Sequence, residues 1–276
     1  MLSGIPIPKD AVRPPETVLV NITPQETRVA VLEENNICEL HIERNSGHSL
    51  VGNIYLGVVK RVLPGMQSAF IDIGLERAAF LHIVDVLEQR RNPDETQRIE
   101  HMLFEGQSVL VQVIKDPINT KGARLSTQIS LAGRFLVHLP QEDHIGISQR
   151  IEDDVERSSL RERLNNLLPE NACHGYIIRT NAENASDAQL QSDINYLTKV
   201  WEHIQKQAKI QPPETLLYQD LPLSLRVLRD MFSLDTHKIL VDSTENHRRM
   251  TQFAEQYVQG ALGRIELFKG ERPLFE

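Results

Sequence analysis

Two aromatic residues, Phe70 and Phe80, lie ten positions apart, each beside small residues: Ala69 next to the first, Ala78-Ala79 before the second. A flat ring with small neighbours can lie open to solvent as a stacking platform. A nucleobase on such a ring is worth roughly 1–3 kcal/mol whatever its identity. Lys60, Arg61, Lys115, Lys121 and Arg124 bracket this stretch and would track phosphates around the platform. The opposing reading is that both rings are core, because a strand Phe is more often buried. A second constellation is Gly175-Tyr176-Ile177-Ile178-Arg179-Thr180, an apolar run that ends on a guanidinium and a hydroxyl. Arginine offers a fork of donors matched to phosphate oxygens, Thr180 adds one more, and backbone N–H groups at Asn181 and Ala182 can join. The plainer reading is a surface Arg paired with a carboxylate.

Other chemistries lack their residues. There is no Gly-x-Ser-x-Gly, His-Glu-x-x-His or Cys-x-x-Cys, and no Gly-rich phosphate loop ahead of a helix. His41, His48 and Cys173-His174 lack the rest of a metal set and read as structural. Glu152-Asp153-Asp154 reads as a helix start, where the macrodipole favours acidic side chains. Asp193-Ile194-Asn195 looks like a metal motif but falls inside a helical pattern.

The elements that must position these groups follow from pattern. Residues 1–16, with four prolines, read as a flexible tail. Strands are expected at 18–21, 28–32 and 37–42, with Asn35-Asn36 as the hairpin turn and Cys38 to Glu43 alternating as a half-buried strand. Five short strands are expected at 53–62, 68–73, 78–82, 109–116 and after Thr120, with a charged surface insertion at 86–101. That density fits a small Greek-key barrel of the OB type. Beyond it come a strand at 135–139, a helix at 158–168, the strand 175–180 and a long helix, Ser186–Ala208, with Ser186 as N-cap. Leu223–Phe232 reads as helical, 238–242 as a strand and Glu245–Tyr257 as a helix.

Composition bounds the class. The chain has 276 residues, 40% hydrophobic and 25% charged, which excludes collagen-like and largely disordered chains. Its longest apolar run, Val109 to Ile114, is broken by Gln112 and far short of a bilayer span. No signal-peptide core is present near the N-terminus, and two cysteines suit a reducing compartment, so a cytoplasmic location is expected. The net charge of −8 argues against general nucleic-acid affinity but leaves a local basic site open.

At longer range the residues become specific. The run Val51-Gly52-Asn53-Ile54-Tyr55-Leu56-Gly57-Val58-Val59 is followed by Val62-Leu63-Pro64-Gly65-Met66-Gln67-Ser68-Ala69-Phe70-Ile71-Asp72-Ile73-Gly74 and Ala79-Phe80-Leu81-His82. Together they resemble an S1 RNA-binding domain in the form found in the ribonuclease E/G family, nearer its ribonuclease G branch. Val113 to Pro117, Thr120 to Leu125, Gly146 to Glu152, Ile177 to Thr180, Asn21 to Ala30 and Leu228-Arg229-Asp230 extend the resemblance over about residues 17–276.

The resemblance implies an α+β multidomain protein in which an S1/OB-fold barrel and a 5′-sensor region are inserted in an RNase H-like α/β domain. Its implied boundaries are 17–46 with 223–276 for the RNase H-like part, 47–127 for the S1 domain with an insertion near 86–104, and 128–222 for the 5′-sensor region. It implies a bacterial, single-strand-specific endoribonuclease of rRNA, tRNA and mRNA processing and decay that prefers 5′-monophosphorylated RNA. Carried over by motif, the S1 contacts to RNA fall on Phe70, Phe80 and Lys121. The 5′-phosphate contacts fall on Gly133, Val137, Arg179 and Thr180. The family cuts with Mg2+ held by a DNase I-like domain that would lie beyond residue 276. The expectation is therefore a chain that binds RNA without cutting it and holds no metal of its own. Self-association through apolar surface near Leu274-Phe275 is a further expectation. Two other readings stay open: a free-standing S1-type adaptor with no sense of the 5′ end, and an enzyme using Glu26, Asp230 and Asp242 as metal carboxylates.

Overall fold

The computed structural model describes residues 15–44, 49–86, 98–119, 121–169, 175–232 and 235–275. Residues 1–14, His48, Thr120, Cys173-His174 and most of the 86–101 insertion lie outside the described residues, and Glu16, expected as the end of the tail, instead opens the first strand. The chain divides into two units, one from the segments up to His48 and from Leu221 onward, the other from Ser49–Asp220.

The strands of the first unit are β1 (Glu16–Ile22), β2 (Glu26–Glu33) and β3 (Asn36–Arg44). Those of the second are β4 (Ile54–Leu63), β5 (Ser68–Asp72), β6 (Ala79–His82), β7 (Ser108–Lys115), β8 (Arg124–Ser126), β9 (Leu131–Ala132), β10 (Leu136–Leu139), β11 (Ile145–Ile147), β12 (Gly175–Ile178) and β13 (Thr215–Tyr218). Two more, β14 (Thr236–Val241) and β15 (Ile265–Leu267), return to the first unit. The helices are α1 (Ile99–Met102), α2 (Asp154–Leu167), α3 (Asp187–Ile210), α4 (Leu223–Arg226) and α5 (Thr244–Tyr257).

The first unit is one mixed sheet in the order β15-β14-β1-β2-β3. β14 runs parallel to β1 and to β15, and β1-β2-β3 is an antiparallel meander. One face carries Val18, Val20, Val29, Val31, Ile239 and Val241, all buried against Val227, Met250 and Ala254 from the helical segments. The α4 segment is one α-turn that widens into a π-turn over Val227–Met231, where a regular helix is expected from the pattern. Glu43 caps its start, accepting from the Leu223 N–H at 2.8 Å and the Arg226 guanidinium at 2.6 Å.

The β2–β3 hairpin turns on Glu34 and Asn35, both at positive φ (49° and 69°), one residue earlier than the expected Asn35-Asn36. Two consecutive positive-φ residues match the right-handed twist of the flanking strands. The strand that follows is not half-buried as its alternation suggests: residues 36–40 are all exposed.

In the second unit β4-β5-β6-β8-β7 closes on itself through a β4–β7 pairing, a five-stranded barrel consistent with an OB fold. Its strands fall where the alternation places them. Ala69, Ile71, Ala79, Leu81, Val111 and Leu125 fill the interior. β13 adds a sixth strand against the outer edge of β4. A second sheet, β11-β12-β10-β9, carries α2 and α3. Ser186 caps α3 through a capping box: its hydroxyl accepts from the Gln189 N–H, and the Gln189 side chain accepts from the Ser186 N–H. Asp153 caps α2 by accepting from the N–H groups of Val155 and Glu156.

Candidate nucleic-acid interface

The strand period decides the fate of the two rings. Ala69, Ile71, Ala79 and Leu81 point into the barrel and are fully buried, so Phe70 and Phe80 point out. Phe70 is 36% exposed and Phe80 half-buried. They sit directly opposite each other on β5 and β6, with ring centroids 6.2 Å apart and planes at 66°. His82 extends the aromatic surface, its ring 6.3 Å from Phe80. Cross-strand pairing also sets Arg61 beside Phe70 and Arg124 beside Phe80, so one outer row reads Arg61, Phe70, Phe80, Arg124 over four strands. The core reading of these rings is thereby excluded.

The cations around the row are not equivalent. Arg124 is bound to the buried Asp85, Nη2 to carboxylate at 2.8 Å. Lys60 is shared between Glu214 at 2.8 Å and Asp72 at 3.2 Å. Its hydrogen bond to Glu214, first, and that to Asp72 push its pKa up, while the Gly74 N–H on Asp72 holds that carboxyl below the usual range. Arg61, Lys115 and Lys121 are exposed. Lys121 lies two residues before Ala123, whose carbonyl accepts from the Phe80 N–H at 2.7 Å. Gly122 between them passes so close to the Ala78 carbonyl that no Cβ fits.

The second constellation sits at the end of β12. Arg179 follows it and Thr180 opens a short 3-10 turn. The Arg179 N–H donates to the Phe135 carbonyl at 2.8 Å, and its guanidinium donates to the Gly133 carbonyl. Val137 is paired with Ile177 two residues before Arg179. Gly133 and Arg179 are thus in contact, with Val137 and Thr180 on the flanking strand and turn.

What holds this loop is Asp193. From α3 it accepts from three successive backbone N–H groups: Arg134 at 3.0 Å, Phe135 at 2.8 Å and Leu136 at 2.9 Å. A Cβ on Gly133 would meet both carboxylate oxygens at 2.5 Å, so a larger residue there must push the Asp193 carboxylate off its amides. Burial pushes the Asp193 pKa up, against the lowering pull of the three amides and of Arg179. In the sequence Asp193 stands out only as part of an Asp-Ile-Asn run within a helical pattern; its partners lie 57–59 residues away, and no local signal reveals them.

The carboxylates considered for metal chemistry are engaged elsewhere. Asp242 accepts from the Asn21 amide at 2.5 Å and the Ile22 N–H at 2.9 Å, and Arg28 donates to Asn21 at 2.8 Å. Glu26 lies 3.7 Å from Arg28, and Asp230 is paired with Arg229 at 2.8 Å. Magnesium, implied by the family resemblance, does not fit these donors: a guanidinium and an amide stand where further oxygen ligands are needed. Nor does it fit Asp193-Ile194-Asn195, where Asp193 is buried on its three amides and Asn195 is exposed. Among the described residues no helix is long and apolar enough to cross a membrane.

The model of the Ribonuclease E/G family matches residues 130–276. The chain is 41% identical to Ribonuclease G of Escherichia coli (strain K12) over 266 residues, covering 94% of this chain and 54% of that protein. The chain belongs to the ribonuclease E/G family. Ribonuclease G of Haemophilus influenzae is 40% identical over the same shares, and Ribonuclease E of Nostoc sp. (strain PCC 7120) is 38% identical over 87% of this chain and 34% of its own length. The chain spans about half the length of the ribonuclease G relatives it matches.

Proposed function

We propose that this chain is the RNA-binding, 5′-end-reading part of a ribonuclease G-like single-strand endoribonuclease of cytoplasmic RNA processing and decay. The observation that carries the reading is the outward Phe70–Phe80 pair on a closed barrel, with Arg61 beside it. It is the arrangement of a single-strand binder: bases stack on rings while cations follow the backbone. We read the barrel as an S1 domain. We read the first unit as RNase H-like, supported by its strand order with β2 alone reversed between β1 and β3.

The 5′-monophosphate reading rests on Arg179. A guanidinium carries five N–H donors, and one of them, bonded to the Gly133 carbonyl, fixes the fork at the end of β12. On this reading Thr180 supplies a hydroxyl from the next position, and Gly133 and Val137 contribute from the neighbouring loop and strand, the loop being ordered by Asp193. On the same reading the chain binds RNA and leaves magnesium-dependent cutting to other parts of the whole protein: Asp85 is held by Arg124, Asp193 by three backbone amides, and Asp72 and Glu214 by Lys60.

Fluorescence anisotropy with two matched single-stranded RNAs, 5′-monophosphate and 5′-hydroxyl, at one fixed salt concentration tests the reading. Phe70→Ala weakens both RNAs alike. Arg179→Gln abolishes the preference for the monophosphate and leaves hydroxyl-RNA affinity unchanged. Equal binding of the two RNAs by the unaltered chain refutes end-reading and leaves an S1-type adaptor. Robust magnesium-dependent cleavage by highly purified chain refutes the binding-only part.

A further inference from the structure

The expected apolar patch at Leu274-Phe275 is half-buried, with the Arg28 guanidinium 5.1 Å above the Phe275 ring. Unused binding groups lie instead at one end of the second sheet. β11 runs parallel to β12, and β10 runs antiparallel to it. Ile178 is paired with Ile147 on one side and Leu136 on the other. Three chain segments therefore meet at that end: Gly133 to Phe135 ahead of β10, Arg179-Thr180 after β12, and Ser148-Gln149-Arg150 after β11. The Ser148 N–H donates to the Ile178 carbonyl at 2.8 Å, so residues 148–150 leave the sheet alongside Arg179.

The turn after β11 is fixed at both ends. The Arg157 guanidinium donates to the Ser148 and Ile151 carbonyls, each at 2.8 Å. The Ile151 N–H donates to the Ser148 carbonyl at 3.2 Å, and the Ile151 side chain is buried. The Arg150 N–H donates to the Ser148 hydroxyl at 3.4 Å. Arg150 is thus displayed, exposed, between two anchored residues. Arg157 and Arg179 are each bonded to backbone carbonyls, but among the described residues the Arg150 guanidinium meets no carboxylate. Asp153, three positions on, is spent on the N–H groups of Val155 and Glu156.

Spacing selects the ligand. Neighbouring strands and two further residues put the Cα atoms of Arg179 and Arg150 about 5–12 Å apart. The two phosphates of a 5′-diphosphate share one bridging oxygen and would crowd onto a single guanidinium. Phosphates of successive nucleotides are separated by a sugar, which suits two guanidinium groups on adjacent strands. We propose that Arg150 binds the first phosphodiester of an RNA whose 5′-terminal phosphate lies at Arg179. The inference rests on the 5′-monophosphate reading of Arg179 and adds a second phosphate to that site. A free mononucleotide carries only the first phosphate, so the second contact favours the end of a chain over a nucleotide in solution.

Anisotropy with two 5′-monophosphorylated single-stranded RNAs tests it, one unmodified and one with an uncharged methylphosphonate at the first linkage. The unaltered chain binds the methylphosphonate RNA about fivefold more weakly. Arg150→Gln binds the unmodified RNA about fivefold more weakly, and binds the methylphosphonate RNA as the unaltered chain does. The salt slope for the unmodified RNA falls by about 0.7 in Arg150→Gln, one phosphate contact's worth. Arg161→Gln, at an exposed position on α2, leaves both affinities unchanged. Arg150→Gln weakening both RNAs equally, or neither, overturns the proposal while the preference for 5′-monophosphate over 5′-hydroxyl RNA persists. Absence of that preference in the unaltered chain overturns the reading of Arg179, and the proposal with it.

Discussion

The barrel and the sheet of the first unit contain the same kinds of strand but finish differently. In the barrel β7 returns to β4, so its interior is sealed and the outer row is left to carry Arg61, Phe70, Phe80 and Arg124. The other sheet stays open: among the described residues its last strand, β3, pairs with β2 alone and carries three exposed apolar side chains on one side. Closure frees an aromatic pair from core duty and leaves it on the surface. An open edge leaves apolar side chains exposed.

Cutting into the sealed interior should produce the largest effect. Leu81→Ala removes a fully buried side chain at the centre of the barrel, and denaturant unfolding should register a loss of about 2–5 kcal/mol. Next is the clamp on the Gly133 loop. Asp193→Asn turns one acceptor into a donor facing a backbone N–H, for a loss of about 1–3 kcal/mol near neutral pH.

The pH dependence of that variant has a definite sign. The Asp193 pKa is raised in the folded chain, so between the ordinary aspartate value and the raised one the folded state holds more proton than the unfolded state. Stability from this group therefore falls as pH rises through the raised pKa. Unfolding curves taken downward from neutral pH should show the native chain gaining on Asp193→Asn; a gap independent of pH contradicts the assignment.

On the outer row the effect moves from stability to binding. Phe80→Ala should cost roughly 1–3 kcal/mol of single-stranded RNA affinity, read by anisotropy, and Phe70→Ala, on the more exposed ring, should scarcely move the unfolding midpoint. The smallest effect on stability is expected at the open edge. Leu40→Lys should change unfolding free energy by no more than about 0.5 kcal/mol, since its side chain meets little protein. A loss of several kcal/mol there would erase the contrast between the two regions.

Much of this architecture is written in short-range signals. The barrel strands follow from alternation cut by Pro64-Gly65 and Gly74, and the Ser186 capping box and the Asp153 cap involve residues within one turn of each other. Phe70 and Phe80 were ambiguous for a reason visible in the strands themselves: both neighbours of each ring are apolar, so the pattern does not say which face turns inward. The β3 strand was misread because alternation reports a period and not whether anything covers it, and because one bulged residue reverses the alternation without changing composition. Asp193 was illegible as a clamp, since a carboxylate gains its meaning from the groups it meets.

The sequence by itself determined membership of the family, the strand and helix segments and the residue types gathered for stacking and phosphate recognition, because these depend on neighbours a few positions apart. The tertiary structure alone decided that the rings face outward, that Asp193 ties the Gly133 loop to a distant helix, and that β3 is the last described strand of its sheet. Each of those outcomes depends on barrel closure, a contact across 57–59 residues or the position of a strand within its sheet, and none of these is a property of local sequence.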